Sequence, residues 1–199
     1  SAEHLMWTGP STSPLARRDI SHSGRRRDAG SLLASPLVRQ SVSVVELHVH
    51  SEYSYDGRDP VDLIVAQAAA IGIDALAITD HDDFRAAAEL LRIAPREGII
   101  PIPGMEVTSA AGHVLALGID EAIPTGLRFE ATLDAIADAG GISVIPHPFQ
   151  RSRHGVAAKV DATAMAMADA VEVYNSRLLT GRSNRRAASF ARSRDLPMT

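Results

Sequence analysis

The chain has 199 residues, a formal net charge of −4, 45% hydrophobic residues and no cysteine. That length and composition suit one ordinary domain with a real core, and the charge leaves no overall footprint for nucleic acid. The lack of cysteine excludes disulfides and thiolate metal sites, so a bound metal must be held by imidazole and carboxylate. No apolar run approaches the roughly 20 residues needed to span a bilayer, and no secretory h-region is present. The expected compartment is the cytoplasm, with no membrane partner.

Residues 1–41 are rich in Ser, Pro, Gly and Arg, with Arg17-Arg18 and Arg25-Arg26-Arg27 as local runs and no apolar periodicity. They read as a disordered leader. The composition also resembles a transit peptide, but Asp19 and Asp28 interrupt it and an amphipathic face is missing. Regular patterning starts at Val42 and defines a second region, residues 42–199.

In that region a Val-rich strand runs from Val42 to Val49. Asp59 as cap and Pro60 at a first helical position open a helix carrying Val61, Ile64, Val65, Ala68 and Ile71, stopped by Gly72. Asp74 to Thr79 is a buried strand, Phe84 to Ala94 a helix ending before Pro95, and Ile99 to Pro103 a third strand. His113 to Gly118 is a fourth. Leu127 to Ala139 is a helix with Leu133, Ile136 and Ala137 inward and Gly140-Gly141 as its stop. Ile142 to Ile145 is a fifth strand. A short helix from Asp161 to Ala168, a sixth strand from Ala170 to Tyr174 and a helix from Thr180 to Arg194 follow. Leu196, Pro197 and Met198 begin a seventh strand.

Strands alternating with helices, and reading as continuous apolar runs, predict a parallel sheet covered on both faces. Six such units and the start of a seventh suit a closed or nearly closed barrel. Polar side chains stand just past the carboxyl ends of five strands, the rim on which β/α barrels assemble chemistry; an open sheet would gather them at one switch point.

His48 and His50 are two apart, so an extended strand end points both to one side. A pair of solvated surface histidines is the competing reading for them. His81 follows the second strand between Asp80 and Asp82; Asp80 could orient an imidazole or ligate a metal, whereas Asp82 and Asp83 read as helix-start caps. Glu106 follows Gly104, which permits close backbone approach, and a carboxylate there can bridge two cations. His113 opens a buried strand and could equally be a satisfied core histidine. His147 stands between two prolines that stiffen its geometry. Together they place five histidines and one glutamate on a single rim.

The ordered set, His-x-His with Asp six residues later, Thr-Asp-His, Gly-x-Glu and His-Pro, resembles the polymerase and histidinol phosphatase (PHP) family from about Val44 to the end. The GHVLALG segment further resembles its stand-alone phosphoesterase branch. The resemblance implies a distorted TIM-like barrel of seven strands, an α/β (β/α)7 fold, with two to three divalent metals (Zn, Mn or Fe). It implies that His48, His50 and Glu106 hold one metal, that Glu106 bridges to a second shared with His113 and His147, and that Asp56 and His81 help hold a third. Two departures stand out. Glu46 occupies a position where the family usually has Asp. The family's closing Gly-Ser-Asp-x-His-like motif on the seventh strand should begin where the sequence stops, so the expectation is a C-terminally truncated segment of a longer protein.

The implied activity is metal-assisted phosphoester hydrolysis on a small phosphorylated substrate, with Glu106, His147 and Asp80 as catalytic residues. Arg151, Arg153 and His154 could neutralise phosphate, and Asn175 could hydrogen-bond substrate; a solvated basic loop and a turn residue are the plainer readings. A nuclease is the rival, with Arg177, Arg182 and Arg185-Arg186 as its basic footprint. An amidohydrolase is weaker, because the only lysine is Lys159, at no strand end where it could become a carbamylated bridge. A domain that binds metal or phosphate without turnover is the non-enzymatic alternative. Oligomeric state is open.

Overall fold

The computed structural model describes residues 43–176 and 181–199; the leader expected over residues 1–41 lies outside these. Six strands form one sheet in chain order: β1 (Val45–Val49), β2 (Ala75–Ile78), β3 (Ile100–Thr108), β4 (His113–Leu117), β5 (Ile142–Ile145) and β6 (Ala170–Val171). Helices α1 (Val61–Ala70), α2 (Arg85–Ile93), α3 (Phe129–Asp138), α4 (Ala162–Met165) and α5 (Arg182–Ser193) lie between or after them. The mixed α/β fold is a curled six-stranded sheet. Its curl brings His48 of β1 within 3.0 Å of Glu172, just past β6.

The expectation of a wholly parallel sheet is corrected. β1–β2, β2–β3 and β5–β6 pair in parallel, but β4 runs antiparallel to both β3 and β5. Only residues 109–112 separate β3 from β4, and a parallel crossover needs about a dozen or more. Ser109 closes that turn, its N–H and hydroxyl both donating to the Gly112 carbonyl at 2.9 and 2.5 Å.

β3 changes partners midway. Ile100 to Pro103 pair with β2, and Gly104 to Thr108 with β4. Gly104 stands at the switch, where an added Cβ would meet the Ala116 carbonyl oxygen at 2.7 Å and a Leu117 methyl at 3.1 Å. The neighbour in the way is backbone and cannot step aside cheaply. Gly104→Ala is therefore expected to destabilise the fold by about 1–3 kcal/mol, the usual cost of overpacking, read from urea unfolding; an unchanged midpoint would contradict this account of the crossing.

Burial follows strand alternation. On the inner face Leu115 and Leu117 pack with Ala77, Val144 and Ala170, and with Leu47 and Ile102. On the outer face Val107, Val114 and Ala116 meet Leu133 and Ile136 of α3. Leu76 and Ile78 meet Val61 and Val65 of α1 and Leu90 of α2. Each such Leu or Ile, fully withdrawn from water, contributes about 2 kcal/mol of transfer free energy. Ala187 and Ala191 seat α5 on Val171.

Several boundaries shift. β1 begins at Val45 rather than Val42, and Thr180 lies outside the described residues. Pro60, not Asp59, holds the cap position of α1, with no side-chain cap; the Asp59 carbonyl instead accepts the Glu52 N–H at 2.9 Å. α3 starts two residues later than expected; Ala137 is exposed, and Phe129 and Thr132 bury instead, because they share the i, i+3, i+4, i+7 stripe of Leu133 and Ile136. β6 spans two residues, but its ladder continues beyond them: Val171 and Val173 donate to the Pro197 and Thr199 carbonyls at 3.0 and 2.8 Å. That parallel bridge between Val171 and Met198 is the expected start of a seventh strand.

Candidate metal centre

The rim residues are carried there by short local devices. In β1 the register shifts between Glu46 and Val49. Leu47 packs in the inner cluster while Val49 packs against the helical layer, leaving His48 and His50 both facing the cleft. β2 hands on to β3 by backbone bonds: the Glu106 N–H donates to the Asp80 carbonyl at 3.0 Å, and the Asp82 N–H to the Glu106 carbonyl at 2.9 Å. That ladder fixes His81 beside Glu106. Thr108 faces His113 across the β3–β4 pair, so His113 shares the face of Glu106, two residues before Thr108. His147, between Pro146 and Pro148, adopts φ +33°, a region that costs a non-glycine residue about 1–3 kcal/mol.

Glu106 is the hub and has no solvent exposure. Its Oε2 faces His50 Nε2 at 2.9 Å, His48 Nε2 at 3.2 Å and His81 Nδ1 at 3.2 Å. Its Oε1 faces His113 Nδ1 at 2.8 Å and His147 Nε2 at 3.2 Å. Asp56 stands further out, its Oδ1 accepting from His50 Nδ1 at 2.6 Å and from the Ser54 hydroxyl at 3.0 Å, with His81 Nε2 at 3.7 Å. Three triplets have ligand atoms close enough to share an ion: His48, His50 and Glu106; His50, Asp56 and His81; His81, Glu106 and His113.

Hydrogen bonding accounts for only two of these five contacts, those of His48 and His147. His50 Nε2, His81 Nδ1 and His113 Nδ1 lie at ion-pair distance from Glu106, yet their direction gives them no hydrogen bond, and they are shielded from water. Buried nitrogens left this way cost roughly 1–3 kcal/mol each. The N···O spacings of 2.8–3.2 Å lie close to the roughly 3.0–3.4 Å between ligand atoms that bonds of about 2.1 Å to one cation impose, from octahedral to tetrahedral angles. An all-imidazole and carboxylate donor set suits Zn, Mn or Fe. The residues fit divalent metals.

The charges respond to the crowding. Burial works to raise the Glu106 carboxyl, but the surrounding imidazoles prevail and hold it well below the usual range. His48 is opposed by burial and still pushed up to about 10, by its bonds to Glu106 and Glu172. His81 moves the other way, to about 4, through burial and the neighbouring His50 and His113. Asp56, despite burial, is held at about 2 by His50.

Asp80 is not among the groups facing Glu106. It is fully buried, and its two oxygens accept from the Ser51 N–H and Ser51 hydroxyl, each at 2.6 Å. It anchors the turn after His50 rather than an imidazole. Asp80→Ala strands both donors and is expected to cost about 2–4 kcal/mol, read by urea unfolding; a loss below about 0.5 kcal/mol, the range of a neutral surface change, would refute the anchoring role. Asp83, read as a cap, accepts the Arg85 N–H at 2.9 Å, whereas Asp82 accepts the Thr108 N–H at 2.7 Å and so ties the second strand end to β3.

Arg153 and His154 line the cleft, with the His154 ring 5.0 Å from His113. Arg151 is exposed on the same short 3-10 turn and is not part of that lining. Asn175 also lines it and donates to both Glu172 oxygens at 3.3 and 3.4 Å. Arg177 lies outside the described residues. Sequence reasoning missed Glu172, absorbed into an apolar strand reading; a carboxylate inside AVEVY was the available signal. Arg58 and Tyr55 were also missed. Both line the cleft, and Tyr55, 78% exposed, stacks on His81 at 4.6 Å and 12°.

A TIM-like α/β sheet with a histidine-rich rim converging on a buried carboxylate defines a class of metal-site barrel. A model of the PHP domain matches residues 46–175, and the chain belongs to that family. An uncharacterized protein of Methanocaldococcus jannaschii is 30% identical over 141 residues, covering 66% of this chain and 81% of the relative. An error-prone DNA polymerase of Symbiobacterium thermophilum is 38% identical over 106 residues, 53% of this chain and 9% of the polymerase. The crystal structure of a two-domain protein from Bacteroides vulgatus, containing a predicted PHP-like metal-dependent phosphoesterase, superposes with a TM-score of 0.66 at 22% identity. It covers 77% of this chain and 49% of that one. The chain thus spans most of the Methanocaldococcus jannaschii relative, about half of the two-domain protein and a small part of the polymerase. Among the described residues no helix is long and apolar enough to cross a membrane.

Proposed function

We propose that residues 42–199 form a domain that hydrolyses phosphoester bonds of a small phosphorylated metabolite or nucleotide with two to three bound divalent metals. The observation that carries this is the convergence of five imidazoles on the two oxygens of buried Glu106. Family membership and the phosphoesterase name of the Bacteroides vulgatus neighbour support the same reading. In it, His48, His50 and Glu106 hold one metal, Glu106, His113 and His147 a second, and Asp56 with His81 part of a third. Such ions polarise phosphoryl oxygens and make water a better nucleophile.

The remaining work falls to the chain. Glu106 keeps its negative charge and so offers one oxygen to each side of the site. Arg153 and Arg58 bring positive charge to a cleft of about 1080 Å³, where they neutralise and orient a substrate phosphate. His154 and Asn175 supply hydrogen bonds at the wall, and Tyr55 offers an exposed ring to the rest of the substrate. Asp80 serves by holding the His50 turn. The size of the cleft, several times that of a phosphate group, favours substrates with a sizeable leaving group. A nuclease is the second reading, favoured by exposed Arg182, Arg185 and Arg186 on α5. That helix begins beside the cleft, since Asn184 Oδ1 accepts the Asn175 N–H at 3.2 Å.

The deciding experiment loads purified protein with Mn, Zn or Fe and assays p-nitrophenyl phosphate, its bis-ester and a labelled oligonucleotide. Metal-dependent release of nitrophenol supports the proposal, and salt-sensitive cleavage of the oligonucleotide alone supports the nuclease. Metal binding without turnover on any of the three leaves a binding domain and defeats both readings.

Loading also has a proton signature. Metal-free His48, held up to about 10 by Glu106 and Glu172 against the opposing effect of burial, carries a proton at pH 7 that a metal on Nε2 must displace. His50 is likewise raised, against burial, by Glu106 and Asp56, so calorimetric titration in buffers of different ionisation enthalpy is expected to show net proton release at pH 7, falling as pH rises toward the His48 value. No buffer dependence would count against His48 as a ligand.

A further inference from the structure

Glu172 is a buried carboxylate, 8% exposed, that belongs to none of the three candidate metal triplets. Its two oxygens are divided. Oε1 accepts from His48 Nδ1 at 3.0 Å, and Oε2 accepts the backbone N–H of His147 at 2.6 Å. Asn175 donates to both, at 3.3 and 3.4 Å. The Glu172 N–H is itself bonded to the Ile145 carbonyl at 2.9 Å. One side chain past β6 is thereby joined to the imidazole at the end of β1 and to the backbone after β5.

Each contact solves a separate problem. A proton held on Nδ1 of His48 leaves Nε2, which faces Glu106 at 3.2 Å, as the nitrogen free to ligate. His147 sits at φ +33° between two prolines, a strained geometry that persists only when its surroundings over-determine it. The short bond from its N–H to Glu172 is such a constraint.

We propose that Glu172 is a positioning residue for both halves of the metal centre, selecting the ligating nitrogen of His48 and clamping the backbone of His147. The inference rests on the metal reading of the Glu106 site and not on the identity of the substrate. Glutamine cannot reproduce it: of two acceptors it keeps one, and its amide group must face either His48 Nδ1 or the His147 N–H, both of which are donors.

The test compares wild type with Glu172→Gln by titrating Mn2+ against a chromophoric chelator, and records 15N–1H spectra of the histidine rings in Zn2+-loaded protein. Glu172→Gln is expected to bind Mn2+ about 10–100-fold more weakly at the sites that use His48 and His147, the usual loss when a ligand-orienting partner is removed. The sharp Nδ1–H signal of His48 seen in wild type should disappear. Wild-type affinity in the variant overturns the proposal. So does a Zn2+-loaded wild-type spectrum in which His48 carries its proton on Nε2 or shows no protected ring proton, a result that needs no variant and stands even if Glu172→Gln fails to fold. Absent turnover with these outcomes intact would sink the phosphoesterase reading and leave the role of Glu172 standing.

Discussion

Glu106→Gln is expected to remove nearly all bound metal and to lower phosphoester turnover by about a thousandfold. The substitution keeps shape and volume in a site with no solvent exposure, so the change is electrostatic. Glutamate presents two negative oxygens, one toward His48, His50 and His81 and one toward His113 and His147. Glutamine presents one neutral oxygen and an amide that points donors at imidazoles. The charge that binds cations on either side is gone, and stabilisation by such a centre amounts to several kcal/mol of barrier, tenfold in rate for each 1.4 or so. Elemental analysis and kcat on the bis-ester should fall together. A variant that retains metal at wild-type stoichiometry would show that Glu106 is not the bridge.

Chelation is the second large effect. The site gathers buried nitrogens without hydrogen-bond partners around one carboxylate, and the folded chain alone presents them as a set. A ligand that binds only the folded form at a thousand times its Kd adds about 4 kcal/mol. For a domain of this size that is a shift of about 8–16 °C in Tm. Scanning calorimetry before and after EDTA, and again after Mn2+ or Zn2+ is restored, should show the transition fall and recover. A transition that ignores both treatments would mean that the cluster holds no metal in the native state, and the functional proposal would lose its foundation.

The two expectations draw on different layers of information. The apolar runs of β2, β4 and β5 and the helical spacing of Val61, Val65 and Ala68 are visible along the chain because burial imposes period 2 or 3.6 on neighbours. The placement of His48 and His50 on one side follows from the same alternation. Spacing alone could not say that β4 reverses direction; that was decided by a turn too short for a crossover. Asp80 shows the same limit. Its position beside His81 suggested chemistry, whereas its oxygens are taken by Ser51, 29 residues earlier.

What the sequence by itself determined is therefore most of the elements and the family pattern of the polar residues; Glu106, read as standing past a third strand that ended at Pro103, lies inside β3. What tertiary structure alone decided is who meets whom there. Glu106 touches five imidazoles drawn from four other segments, and Glu172 reaches His48 across 124 residues. Local periodicity carries no record of such pairings, because they arise only when strand order and curl bring distant strand ends to a common point.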